Sequence, residues 1–330
     1  EYSSPAVHGP DGKDRRGQIW GKLVPYGMTN LGFGNGKPGP WRAGANENTV
    51  FAVSHDVLVQ GKRLPAGRYG LHMMAGEGDW TLIFSKNSTS WGSFFYEESE
   101  DALRVTAKPK KHEYREWLTY EFTERKPEET AVEMQWEDLA LPWKVQVDKI
   151  NEVYYTKLSE ELRTVPGFGY QGYVQGINFL VQNDLHLDQA LRWADSAISM
   201  PFVGQRTFTT LSTKAQVLTK MGKGGEAKAI MSEAIRMPSA SPVSIHQYGR
   251  SLINAKQPAE ALEVFKLNFE KNGDAWPVHV GLARGYAATG DVKKALEHAQ
   301  KALPQAPDDI NRNGLKSMIE SFSKGENITQ

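Results

Sequence analysis

The spacing of apolar and polar residues changes once along this chain. Up to about residue 148, short runs alternate: "TVFAVS", "RYGLHMM", "WTLIFS", "ALRVTAK", "WLTYEF", "TAVEMQW" and, at 143–148, "WKVQVD". Side chains two apart on an extended chain point the same way, so Trp80, Leu82 and Phe84 share a face. The same holds for Leu118, Tyr120 and Phe122, and for Val132, Met134 and Trp136. The runs are rich in β-branched and aromatic residues and are separated by turn formers such as "LPAG", "AGEGD" and "RKPEE". Short strands at hairpin spacing, without helices between them, predict an antiparallel β-sandwich over residues 1–149.

From residue 150 the period becomes helical. Ile150, Val153, Tyr154, Leu158 and Leu162 recur at the spacing of one helix face, followed by a break at "PGFGYQG". Beyond it, to about residue 322, the chain reads as helices joined by short turns. Four segments, "LDQALRWADSAISMP", "GGEAKAIMSEAIRMP", "PAEALEVFKLNFEKN" and "VKKALEHAQKALPQA", align on Ala190, Ala227, Ala261 and Ala295, spaced 37, 34 and 34 residues apart. Ala197, Ala234, Asn268 and Ala302 follow seven positions later, and Ala215, Gly249 and Ala283 precede the last three anchors by twelve. Small residues at these offsets are what closely packed antiparallel helices need, and a period of 34 is that of the tetratricopeptide repeat. Residues 281–303 match it best and the first repeat matches it least. The pattern predicts a tetratricopeptide-like α-solenoid over residues 150–330, suited to a protein partner or to self-association.

Composition narrows the function. The chain has 330 residues, with 39 basic and 39 acidic side chains. It therefore lacks the basic excess by which nucleic-acid binders displace counterions, and no nucleic-acid partner is expected. No apolar run approaches the roughly 18–20 residues that span a bilayer, so no transmembrane segment is expected. The absence of cysteine removes thiol catalysis, disulfides and thiolate metal sites. A chain beginning at Glu1 is expected to be a processed or trimmed form.

The string "IWGKLVPYG…WRAGANENTVFAVSHDVLVQGKRLPAGRYGLHMM…DWTLIFSKNSTSWGSFFYEESEDALRV…EWLTYEF…VEMQWEDLALPWKVQVD", from about Ile19 to Asp148, resembles a bacterial family known as domain of unknown function 2911. Several blocks occur in order, which makes the resemblance specific. It implies a β-rich domain in an exported protein, periplasmic or extracellular, sometimes followed by tetratricopeptide-like helices. It brings no activity and no catalytic residues. This sequence departs from the family's pattern by an insertion, roughly "MTNLGFGNGKPGP", ahead of "WRAGANENT".

Candidate chemistry is sparse. HExxH, GxSxG, GxxxxGK[ST] and EF-hand signatures do not occur. "GFGNGKPG" reads as a plain flexible loop, since a phosphate cradle should feed a helix N-terminus and this one leads through two prolines to a strand. In "GPWRAGANENT", Arg42 could hold a carboxylate or phosphate bidentately, with Asn46 and Glu47 as acceptors or a proton-transfer group. The favoured reading is structural: a turn in which Asn46 bonds local backbone and Arg42 pairs with Glu47. His72 alternates against Tyr69, Leu71 and Met73, so it lies opposite the presumed core, at the surface or between domains. A metal site needs several converging ligands, and none is predicted. Trp117, alternating with Thr119 and Glu121, is a candidate for stacking on a sugar or docking on the helices.

These readings favour a non-catalytic exported binding or assembly protein, with protein contacts through the repeats and a carbohydrate or small molecule as candidate ligand of the β domain. The competing class is an envelope or secreted enzyme, such as a hydrolase, with a site near Arg42, Glu47 and His72. No cofactor is named by the sequence.

Overall fold

The computed structural model describes residues 1–326, so the last four positions of the predicted helical domain, 327–330, lie outside the described residues. The chain divides into two compact units, Glu1–Tyr154 and a second beginning at Tyr155. Helix α1 (Ile150–Glu161) carries the division within it.

The first unit holds two four-stranded antiparallel sheets. One runs in the order β1 (Thr49–Val53), β4 (Gly67–Met74), β5 (Trp80–Ser85), β6 (Asp101–Ala107). The other runs β3 (Lys62–Leu64), β2 (Val57–Val59), β8 (Glu129–Gln146), β7 (Lys110–Thr123). Both contribute to one core, in which Leu71, Met73, Trp80 and Phe84 of the first sheet join Leu118, Met134, Trp136 and Trp143 of the second. The two runs "TAVEMQW" and "WKVQVD" prove to be one long strand, β8. Its inward positions are Val132, Met134 and Trp136, then Leu139, Leu141, Trp143 and Val145. The alternation shifts from even to odd at Glu137, which takes φ 56°. The β2–β3 hairpin turns on Gln60 and Gly61, both at positive φ, the conformation a two-residue hairpin requires.

The second unit consists of helix pairs. They are α2 (Tyr170–Gln182) with α3 (Leu187–Ser199), α4 (Phe208–Lys220) with α5 (Gly224–Ala234), α6 (Pro242–Asn254) with α7 (Pro258–Asn272), and α8 (Trp276–Ala288) with α9 (Val292–Ala302). α10 (Asp309–Ser323) follows. The repeat anchors Ala190, Ala227, Ala261 and Ala295 are all buried, as are Ala215, Gly249 and Ala283. Asn268, which stands where the sister repeats have alanine, is buried too and donates to the Pro242 carbonyl at 2.9 Å. Phe265 is the large residue of this core. A Cβ on Gly249, Gly281 or Gly285 would come within 2.3, 2.5 or 2.7 Å of its ring. Each helical glycine costs about 0.5–1 kcal/mol against alanine, a loss offset by the burial of one phenyl ring. Gly222, Lys256 and Gly290, 34 residues apart, close the turns between paired helices with positive φ.

Candidate functional site

Residues 39–49 interrupt the edge of the first sheet. Trp41 exchanges backbone hydrogen bonds with Met73 of β4 at 2.9 and 2.8 Å, and pairing resumes at Thr49 opposite Leu71. The partner strand advances two residues between these points while this segment advances eight, so residues 42–48 loop outward. Ala43 and Asn46 make the loop with φ of 55° and 57°. It is well held: the Ala43 carbonyl accepts from Tyr120 Oη (2.7 Å) and Thr49 Oγ1 (3.2 Å), and the Ala45 N–H donates to Ser3 (3.0 Å).

This loop forms one wall of a cleft of about 390 Å³. Arg42 projects into the wall half-buried. Its Nη1 donates to the Asn46 carbonyl at 3.0 Å, and its Cζ lies 5.2 Å from the centre of the Phe94 ring. Gly92, at φ 59°, makes room for it, since a Cβ there would sit 2.7 Å from Nη1. No carboxylate pairs with Arg42 among the described residues, and burial pulls the pKa of its guanidinium down. The predicted Arg42–Glu47 pair is not formed. Glu47 lies outside the lining and accepts from Ser3 Oγ at 2.8 Å, which holds its carboxyl below its ordinary pKa.

Trp91, Ser93 and Phe94, in a segment the strand pattern passes over, also line the cleft. The inserted "GFGNGKPG" loop packs on this segment rather than standing free: Asn35 N–H donates to the Phe94 carbonyl at 3.0 Å and Lys37 pairs with Glu97 at 2.8 Å. Gly34 permits the approach, because a Cβ would fall 2.0 Å from that carbonyl oxygen. Trp41 and Trp136 stack at 6.2 Å within the lining, and the buried Trp136 indole N–H has no hydrogen-bond partner. Two cations border the cleft, Arg15 and Arg42, and no carboxylate lines it among the described residues. Arg15 reaches Asp11 at 3.7 Å, so Arg42 alone is uncompensated.

His72 lies on the face of β4 opposite the core, as alternation requires, yet it is 3 % exposed rather than at the surface. The segment 91–97 covers it: His72 Nδ1 meets Ser93 Oγ at 2.7 Å and the Tyr96 ring packs edge-on at 5.4 Å. Burial lowers its pKa to about 4, so it is neutral at pH 7. The structure thus brings Arg42, Asn46 and, through Ser93, His72 to one cleft and leaves Glu47 outside. Trp117 is 58 % exposed and is absent from the lining. Ser93, Phe94 and Trp91 escape the sequence reading. The aromatic run "WGSFFY", which fits no alternating strand, was the available signal.

The second unit has a groove of about 660 Å³ between the first helices of successive pairs. On α4, Phe208, Ser212, Gln216 and Thr219 face it, and on α6, Ser244, Gln247, Tyr248 and Ser251. Spacings of three and four place each set on one helix stripe. Its single lysine, Lys220, has Asp184 at 3.6 Å. Among the described residues no three histidine, aspartate or glutamate side chains gather as a metal site, and no helix is long and apolar enough to cross a membrane.

Residues 1–145 match the family described as a protein of unknown function, DUF2911, and residues 252–319 match a tetratricopeptide repeat. The DUF2911 match takes in the first eighteen residues and the inserted loop. No curated protein matches the chain. Among solved structures, it is similar to YrrB, a TPR protein with an unusual peptide-binding site, at 20% identity and a TM-score of 0.34, over 51% of this chain and 84% of that one. It is similar to TTC0263, a thermophilic TPR protein in Thermus thermophilus, at 16% identity and a TM-score of 0.36, over 52% and 91%. A tetratricopeptide repeat protein from Parabacteroides merdae is similar at 17% identity and a TM-score of 0.36, over 52% and 68%.

Proposed function

We propose that this chain, which joins a DUF2911 domain to tetratricopeptide repeats, is a non-catalytic binding or assembly protein that takes a protein partner through its helices. The observation that carries this reading is the groove on α4 and α6. Gln216 and Gln247 offer amide donors and acceptors of the kind an extended backbone needs, and Phe208 and Tyr248 add apolar area beside them. With its one lysine paired, the groove suits an uncharged peptide segment better than a charged one. The β domain would add recognition of a small ligand, for which the cleft at Arg42 is the place. The resemblance of its sequence to exported bacterial proteins supports a periplasmic or extracellular location, which cell fractionation tests.

Panning a random peptide library against the full chain tests the partner reading. Enriched peptides should lose at least tenfold in affinity to a Gln247→Ala, Tyr248→Ala variant and nothing to Trp91→Ala. Peptides indifferent to the groove variant would overturn it.

A hydrolase reading draws on one observation, the 2.7 Å contact between His72 and Ser93 beside the cleft. Against it, Glu47 is turned to Ser3 and no carboxylate hydrogen-bonds His72 among the described residues, so the base lacks the orienting third group of a serine triad. A fluorophosphonate probe that labels Ser93 would favour the hydrolase.

A further inference from the structure

We propose that the cleft at Arg42 binds a hydroxylated ring bearing one carboxylate, the chemistry of a uronic acid, with the carboxylate on the Arg42 guanidinium and the ring against the tryptophans. The inference rests on the reading of the β domain as the ligand-recognising part of the chain.

Charge decides the acidic group. The cleft holds one uncompensated cation and no carboxylate among its described lining residues. One guanidinium balances one negative charge, which matches a carboxylate better than a doubly charged phosphate ester. Only one of its five N–H groups is spent, on the Asn46 carbonyl, so a fork of donors is left for the two oxygens of a carboxylate. The side chain is held against Phe94 before any ligand arrives, which lowers the ordering cost of binding.

The walls decide the body. A volume of about 390 Å³ lies at the small end of ligand pockets and fits one ring rather than a polymer. Trp91, 56 % exposed, offers an indole face. Between the rings stand polar groups that a bare aromatic acid would leave without partners, the hydroxyls of Thr29 and Ser93. Burial of unmatched donors costs affinity, so a ring carrying hydroxyl groups fits this lining better than an apolar one. Ser93 Oγ lies 2.7 Å from His72 Nδ1 and as a hydroxyl keeps further hydrogen-bonding capacity for a ligand hydroxyl.

The test is calorimetric titration of the full chain with D-glucuronate, D-glucose, glucose 6-phosphate and benzoate. Glucuronate should bind, glucose should bind at least tenfold more weakly, and Arg42→Gln should lose roughly 10–100-fold for glucuronate, the usual range for a charged hydrogen bond. Arg42→Lys, which keeps the charge and loses the fork, should recover only part of that. An unchanged thermal transition for both variants shows that they fold. Equal binding of glucose, tighter binding of glucose 6-phosphate, glucuronate binding indifferent to Arg42→Gln, or no glucuronate binding at about 10 mM would each overturn the inference. Benzoate bound more tightly than glucuronate, in an Arg42-dependent way, would also overturn it while leaving the β domain a ligand module. The groove peptides report on the repeats separately, so either reading can fail without the other.

Discussion

The cleft of the first unit is lined by loops, with Arg42 carried out on residues 42–48 and Trp91 to Phe94 laid over β4, whereas the groove of the second is lined by helix stripes repeated at a fixed period. One collects a lone charge among tryptophans; the other spreads neutral polar groups along α4 and α6. Loops can place a half-buried cation because left-handed residues such as Ala43 and Asn46 turn the backbone where it is needed, at a cost of order 1–3 kcal/mol per strained position. Regular helices cannot make that local exception, but they extend a surface by repetition. The contrast teaches what each site suits: a compact ligand of defined charge in the cleft, an extended segment in the groove.

The sharpest break of this contrast is Trp136→Ala. It removes the ring stacked on Trp41 from a fully buried position and should cost the first unit about 3–5 kcal/mol. Seven of the nine tryptophans precede residue 150, so tryptophan fluorescence follows that unit during urea unfolding. Loss of the same size in the helical circular dichroism transition would contradict independent cores.

Acid provides the next test. His72 has its pKa pulled down to about 4 by burial from an ordinary value near 6.5, so between those values the unfolded chain binds the proton that the folded chain refuses. The stability due to neutral His72 is complete above about pH 6.5 and is lost as the pH falls toward 4, by roughly 3 kcal/mol at most. Replacing His72 with Gln should flatten the fluorescence-detected loss over that window. An unchanged slope would mean that the covering segment 91–97 opens in solution.

In the second unit, Ala295→Leu should overpack the seam of α8 and α9 and cost on the order of 1–3 kcal/mol, read from the helical transition. The smallest effect has the opposite sign. Lys256 takes φ 60° where the sister turns have Gly222 and Gly290, so Lys256→Gly should stabilise the helices by roughly 0.5–1 kcal/mol.

The same difference governs what could be read from the sequence. The helical unit was legible because a small residue every 34 positions has one cause, the close approach of two helices, and Ala190, Ala227, Ala261 and Ala295 are all buried. Alternation also placed the strands and put His72 opposite the core. It failed where the backbone leaves the repeating conformation. Glu137 at positive φ joined two apparent strands into β8, and the β2–β3 hairpin has strands of three residues, too short to show a period. The cleft was the least legible part. Arg42 and Asn46 were visible as candidates, but their surroundings come from Phe94 and Ser93, some fifty residues on, in a segment without periodicity. The burial of His72, expected at the surface or between domains, was hidden for the same reason, since nothing in its own strand announces the cover.

The central claim is that the chain carries two recognition sites of different chemistry, and a crossed binding measurement tests it most directly. D-glucuronate and one enriched groove peptide are each titrated into the full chain, into Arg42→Gln and into the Gln247→Ala, Tyr248→Ala variant. The account predicts that Arg42→Gln loses glucuronate and keeps the peptide, while the groove variant does the reverse, each loss tenfold or more. A variant that loses both ligands while still folded, or neither, would contradict it.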